Sequence, residues 1–346
     1  MNGESKKNLL LHILDILQKY SDEDHRLSQK NIIERLEKEY DTEVERKGIR
    51  PNIEKLINAG YSIEYDEKIR HTKGEENAVW TNFYLCRDFT DSELRFLIDS
   101  LLCFSHLPNS QCRELIEKLE GLSSVYFKSK MKHTSVFNDD SGGNKELFYT
   151  IEILAEAISK ARKVTFNYGE YGADKKMHCR TQKDGSDRTY LINPYQMVIK
   201  EGRYYLICNK DNFDTPANYR VDRIMNIKLT DEPVKPITEL KGRNGEAFDL
   251  TRYIKEHAYM FSEEITPCSI RIVKKRISDV IDVFGTNISI IQENENDVVI
   301  NLYTDKMAIL KFVKSYAPQA VILDPPSLVQ EMKEILETSL KDYNEG

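Results

Sequence analysis

Residues 187–229 read DRTYLINPYQMVIKEGRYYLICNKDNFDTPANYRVDRIMNIKL, and the rest of the chain is read outward from them. Alternation predicts strands over Tyr190–Val198 and Arg203–Asn209, joined by a tight turn at Lys200-Glu201-Gly202, where glycine supplies the positive φ of a hairpin. A third strand, Tyr219–Leu229, follows a loop marked by Asp211-Asn212 and Thr215-Pro216. In the second strand Arg203, Tyr205 and Ile207 share one face, and Tyr204, Leu206 and Cys208 the other. On the third, strict alternation sets Arg220 and Asp222 opposite Tyr219, Val221 and Arg223. A small sheet this rich in tyrosine and arginine can hold an anion or a nucleotide base, because guanidinium forks match phosphate and phenol rings stack on bases.

Tyr204-Tyr205-Leu206, the run Tyr219-Arg-Val-Asp-Arg-Ile224, Asn193-Pro194-Tyr195 and Gly202 together resemble the WYL domain of bacterial regulators, with tyrosine standing for the tryptophan of its name. The resemblance implies a small Sm-like β-barrel over residues 146–235. It also implies a ligand pocket that draws on Tyr168 and Tyr195 beside Arg203, Tyr204, Tyr205, Arg220 and Arg223. Two readings of the arginines stand open: Asp222 pairs with one of them structurally, or at least one binds ligand. For Tyr190 and Tyr195, packing in the core is the alternative to contact with ligand.

Composition sets the bounds. The chain has 346 residues, enough for two or three domains, and its hydrophobic content of 40% is that of an ordinary globular protein. No apolar run is long enough for a bilayer, and MNGESKKNLL carries no signal-peptide core, so a cytoplasmic location is expected. Six cysteines without a CxxC pair argue against a zinc site or a disulfide framework and for reduced thiols. Residues 1–88 hold 15 basic and 18 acidic side chains, residues 146–235 hold 15 and 13, and residues 236–346 hold 13 and 18. Only the middle segment is net basic, so an N-terminal DNA-binding face would have to come from local clustering.

Such clustering is present. Helices are expected over Leu9–Tyr20, after the N-cap Ser28, and from near Val44 to Gly60; Pro51 favours a start of the third near Ile49. Strand-like runs Tyr61–Tyr65 and Ala78–Cys86 follow, joined by a polar span. Three helices and a hairpin make a winged helix-turn-helix, whose third helix enters the major groove while its hairpin lies along the backbone. The basic run Arg46, Lys47, Arg50, Asn52 and Lys55 falls at the recognition position, and Lys68, Arg70, His71 and Lys73 fall on the wing. This part also resembles the winged helix of WYL regulators, and residues 90–122 resemble their helical connector. Phe137–Lys145, with Asp139-Asp-Ser-Gly-Gly-Asn144, reads as a linker.

After Pro236 the predicted order is β-α-β-β-α-β, which is ferredoxin-like. Its position resembles WCX, the C-terminal extension of the same regulators. The expected architecture is therefore multidomain α+β. Residues 1–88 form the winged helix, 89–145 a connector and linker, 146–235 the WYL domain, and 236–346 the WCX domain.

No GxSxG, HExxH, Walker or GxGxxG motif occurs, the seven histidines are dispersed, and no cofactor is implied. A non-enzyme is expected. The family implies a ligand-responsive transcription regulator, a homodimer on a double-stranded operator, tied to a defence locus and responsive to single-stranded nucleic acid or a nucleotide. The alternative is an accessory protein that binds nucleic acid and modulates a phage-defence effector of the CRISPR type, with no operator of its own.

Overall fold

The computed structural model describes residues 3–72, 75–103, 108–127, 146–242 and 245–345. The expected linker Phe137–Lys145 lies outside them, as does Lys73. The chain is mixed α+β and divides into two compact units, residues 1–143 and 144–346.

In the first unit, helices Gly3–Tyr20, Gln29–Tyr40 and Ile49–Asn58 precede a hairpin of β1 (Ile63–Thr72) and β2 (Glu75–Leu85). Ser28 caps the second helix, its hydroxyl accepting from the Asn31 amide while the Asn31 side chain reaches back to the Ser28 amide. A 3₁₀ turn, Arg46–Gly48, leads into the third helix, so Pro51 falls in its first turn, where a missing N–H costs nothing. Ile13, Leu17, Ile32, Leu36, Ile53, Leu56 and Phe83 are buried in one core. The hairpin is longer than expected: Lys68, Arg70 and His71 belong to β1 rather than to a loop. Helices Asp91–Leu102 and Asn109–Glu120 complete the unit. Arg87 ties their end to the first helix, donating to the carbonyls of Gln18, Ser21 and Leu122.

The second unit opens with helix Leu147–Lys160, which lays Leu147, Thr150, Leu154 and Ala157 on a six-stranded antiparallel sheet. Its strands are β3 (Arg162–Tyr171), β4 (Met177–Cys179), β5 (Thr189–Lys200), β6 (Arg203–Asn209), β7 (Ala217–Arg220) and β8 (Ile224–Pro233). The order is β4-β3-β5-β6-β7, with β8 also paired to β3. The turn joining β5 to β6 has positive φ at both Glu201 (48°) and Gly202 (67°), the twist a two-residue hairpin needs.

Two expectations are corrected here. The third strand is not continuous: a 3₁₀ turn, Val221–Arg223, splits it into β7 and β8. The sheet is open and not a closed barrel, because that turn carries the chain from one edge of the sheet to the other without pairing β7 to β8.

Beyond this sheet, helix Leu250–Glu256 packs Tyr253 against Ile207, an element that strand and helix patterning left unread. Next come β9 (Ile265–Val273), helix Ile277–Phe284, β10 (Ser289–Glu293), β11 (Asp297–Asp305), helix Lys306–Tyr316, β12 (Ala320–Asp324) and helix Pro326–Glu345. The β-α-β-β-α-β order is the expected one, with sheet order β10-β11-β9-β12. Among the described residues no helix is long and apolar enough to cross a membrane.

Candidate functional site

The interior of the six-stranded sheet beside Tyr168, Arg220 and Arg223 is built on aromatic rings. Val164, Phe166 and Tyr168 alternate along β3 into the sheet's interior and meet Tyr190 of β5 and Tyr219 of β7, all buried. Tyr168 and Tyr219 pack edge to face at 4.9 Å between centroids, Phe166 and Tyr219 at 5.3 Å, and Tyr190 and Tyr219 at 5.6 Å. Burial pushes the Tyr168 phenol above its ordinary range; the Arg220 amide, which donates to its oxygen at 3.1 Å, and the Arg223 charge work against that rise.

The 3₁₀ turn decides what the two signature arginines can do. It lets Arg220 reach past one residue to Asp222, with Nε–Oδ1 at 3.1 Å and Nη2–Oδ2 at 2.7 Å. Arg220 is therefore not a desolvated cation in want of an anion; its carboxylate is supplied by the chain. Arg223 is different, since its Nε is buried with no hydrogen-bond partner among the described residues.

The other expected residues scatter. Tyr205 packs against the cluster of Ile207, Tyr253 and Met260. The Tyr195 hydroxyl donates to the Lys235 carbonyl at 2.9 Å, and burial raises the pKa of that phenol strongly. Arg203 stands 3.9 Å from Glu201 in the hairpin turn, and Tyr204 is half-buried beside it. The neighbouring Asn193 is a buried hub, donating to Asp211 at 2.8 Å and accepting from the Lys235 amide at 2.8 Å.

Three cations that the motifs did not single out gather at the same tyrosines. The Arg188 guanidinium and the Lys210 ammonium each lie 5.0 Å from the centroid of the Tyr190 ring, and Arg180 lies 5.1 Å from that of Tyr168. Backbone bonds hold two of them together, Arg188 N–H donating to the Arg180 carbonyl at 2.7 Å. Arg180 is paired with Glu170, whereas among the described residues neither Arg188 nor Lys210 has a carboxylate partner. Burial, and then the charge of Arg188, pull the Lys210 ammonium below its ordinary range, with Arg180 adding to the effect. The buried Tyr190 hydroxyl lies beside the Arg180 guanidinium. The sequence signal was available only as isolated basic residues in a polar loop and after β6; nothing in their spacing brings 180, 188 and 210 together.

In the first unit, Arg50 and Asn52 are engaged within the fold. Arg50 stacks on Trp80 at 4.4 Å, pairs with Glu54 at 2.9 Å and donates to the Ala78 carbonyl at 3.0 Å. Asn52 donates to the Gly48 carbonyl at 2.7 Å, and Arg46 to the Gln29 side chain at 2.8 Å. Lys47, Lys55 and Lys68 are exposed.

Residues 149–229 match the family model of the WYL domain, so the aromatic cluster and all its cations lie within a WYL domain. No curated protein matches the chain. Among solved structures, the proteasome accessory factor B/C (PafBC) of Arthrobacter aurescens aligns at 14% identity and a TM-score of 0.28, over 97% of this chain and 49% of that one. The chain thus spans about half the length of that protein. A structure titled as a CRISPR Cas-related protein aligns at 15% identity and a TM-score of 0.38, over 97% of this chain and 86% of the other.

Proposed function

We propose that the chain is a ligand-responsive, DNA-binding transcription regulator of the cytoplasm, and not an enzyme. In this reading residues 146–235 sense single-stranded nucleic acid or a nucleotide, residues 1–88 bind a duplex operator, residues 89–145 connect the two, and residues 236–346 support a homodimer. The observation that carries the reading is the tyrosine cluster flanked by Arg180, Arg188, Lys210 and Arg223 inside the WYL domain. Cations beside aromatic rings attract phosphates and offer stacking surfaces to bases, whatever the base sequence. Three helices followed by a β-hairpin, with Lys47, Lys55 and Lys68 exposed, support contact with a DNA backbone. Ligand bound in the second unit would act by favouring one arrangement of the paired DNA-binding units.

The test is fluorescence anisotropy of labelled single-stranded DNA and RNA with the full chain, beside a gel shift on the DNA upstream of its own gene. Binding in both assays is expected. Failure to bind any single strand would remove the sensing role; single-strand binding without an upstream shift would favour an accessory protein of a defence effector.

A further inference from the structure

We infer that Arg180, Arg188 and Lys210 form, with the Tyr190 hydroxyl, a point site for a phosphomonoester dianion: the phosphorylated end of a strand, or a nucleoside monophosphate. The inference rests on the nucleic-acid-sensing reading above and deepens it. Three observations converge. Arg180 and Arg188 come from the connection between β4 and β5 and Lys210 from just after β6, yet Arg188 and Lys210 stand over one ring at the same 5.0 Å. A groove that tracks a strand spreads its cations along the backbone; these gather at a point. Next, the charges do not cancel locally. Glu170 answers Arg180, and among the described residues no carboxylate answers Arg188 or Lys210, whose charges bear on each other. A terminal phosphate carries close to two negative charges at neutral pH, whereas each internal phosphodiester carries one. Finally, Tyr190 is 4% exposed and its hydroxyl lies beside the Arg180 guanidinium. A phosphate oxygen drawn to the cations would meet that hydroxyl as a further donor.

The site is distinct from the Arg220–Asp222 pair, which is already neutral. It requires no chemistry, only binding, and it would let the domain distinguish a cleaved or degraded strand from an intact one.

The experiment compares short single-stranded DNA with a 5′-phosphate, a 3′-phosphate or neither, by anisotropy at fixed salt with the full chain, using AMP and adenosine as competitors. One phosphorylated end is expected to bind at least about tenfold tighter than the unphosphorylated strand, the effect of one charge-assisted hydrogen bond. Displacement by AMP but not adenosine would assign the site to mononucleotides; an advantage of a phosphorylated strand that AMP does not compete away would assign it to strand ends. The advantage of the phosphorylated end, taken as the ratio of its affinity to that of the unphosphorylated strand, should vanish in the double variant Arg188→Ala, Lys210→Ala and shrink in Tyr190→Phe, which keeps the ring. Equal affinity for all three strands, together with no AMP displacement, overturns this site and leaves the sensing reading standing. Failure of every strand to bind overturns both.

Discussion

Arg220 and Asp222 hold each other across a single intervening residue, with two hydrogen bonds of 2.7 and 3.1 Å and side chains 19% and 7% exposed. In a flat strand these two would share a face with their tips well apart. The 3₁₀ turn at Val221–Arg223 folds them into contact, and the same turn moves the chain from β7 to β8. The pair is thus a clamp on the corner that fixes the two edges of the sheet.

Breaking this clamp should destabilise the second unit. Arg220→Met leaves the Asp222 carboxylate buried without its guanidinium, a loss of about 3 kcal/mol, the low end for a broken buried pair, because Arg220 retains some solvent contact. Thermal melting should show it clearly. A melting temperature unchanged from the parent would mean that the pair is ornamental.

A second prediction concerns pH. Asp305 is fully buried and caps helix Lys306–Tyr316, its Oδ1 accepting from the Ala308 amide at 2.8 Å while Oδ2 has no partner among the described residues. Burial, with the charge of Glu263 adding to it, raises its pKa from 3.8 to about 6. Between those values the folded chain keeps a proton that the unfolded chain has released, so stability falls as pH rises from about 4 to about 6 and is level above. The loss is roughly 3 kcal/mol, at 1.36 kcal/mol per pKa unit. Asp305→Asn keeps a capping oxygen and removes the charge. Melting curves at pH 5 and pH 7.5 should differ less for the variant than for the parent, and the variant should be the more stable at pH 7.5. An identical pH dependence in the two proteins would contradict the assignment.

A third concerns the N-terminal unit, where the exposed and the engaged cations should separate. Arg50 joins its helix to the hairpin through Trp80 and the Ala78 carbonyl, so Arg50→Ala should cost this unit about 1 kcal/mol of stability. Lys47 makes no such contact and is exposed. If it meets a phosphate, Lys47→Ala should leave melting unchanged and lower the slope of log affinity against log salt by about 1. DNA titrations at several salt concentrations, beside melting curves, distinguish the two roles. A Lys47→Ala protein with an unaltered salt slope would remove Lys47 from the DNA face.

What patterning could read and what it could not follow from the range of each interaction. The Ser28 cap, the turn at Gly202 and the β-α-β-β-α-β order are read from local pattern, and each stands where it was expected. The 3₁₀ turn was invisible because Val221-Asp222-Arg223 alternates apolar and polar as a strand does; only the pairing of Arg220 with Asp222 selects the turn. The length of the hairpin was missed because charged residues dominate its tip, and cross-strand pairing rather than propensity extends it. The cation cluster was missed for a third reason: it exists only once β3, β5 and β6 lie side by side.

The last prediction separates Arg223 from Arg220, two residues that one sequence signature treats alike. Among the described residues Arg223 Nε is buried without a partner, and the Arg223 charge bears on the Tyr168 phenol. A buried donor without a partner is a cost to the fold, so replacing Arg223 by methionine, similar in length and free of donors, should leave stability unchanged or slightly raised. The same replacement removes a donor poised at the edge of the tyrosine cluster. If ligand completes that donor's bond, Arg223→Met should weaken single-strand binding about tenfold at an undiminished melting temperature, the value of one charge-assisted hydrogen bond. Arg220→Met should do the reverse, lowering the melting temperature first and binding only as a consequence. Anisotropy and melting on the two single variants decide it. Equal binding by Arg223→Met and the parent would take Arg223 out of the ligand face and leave Arg180, Arg188 and Lys210 to hold the anion.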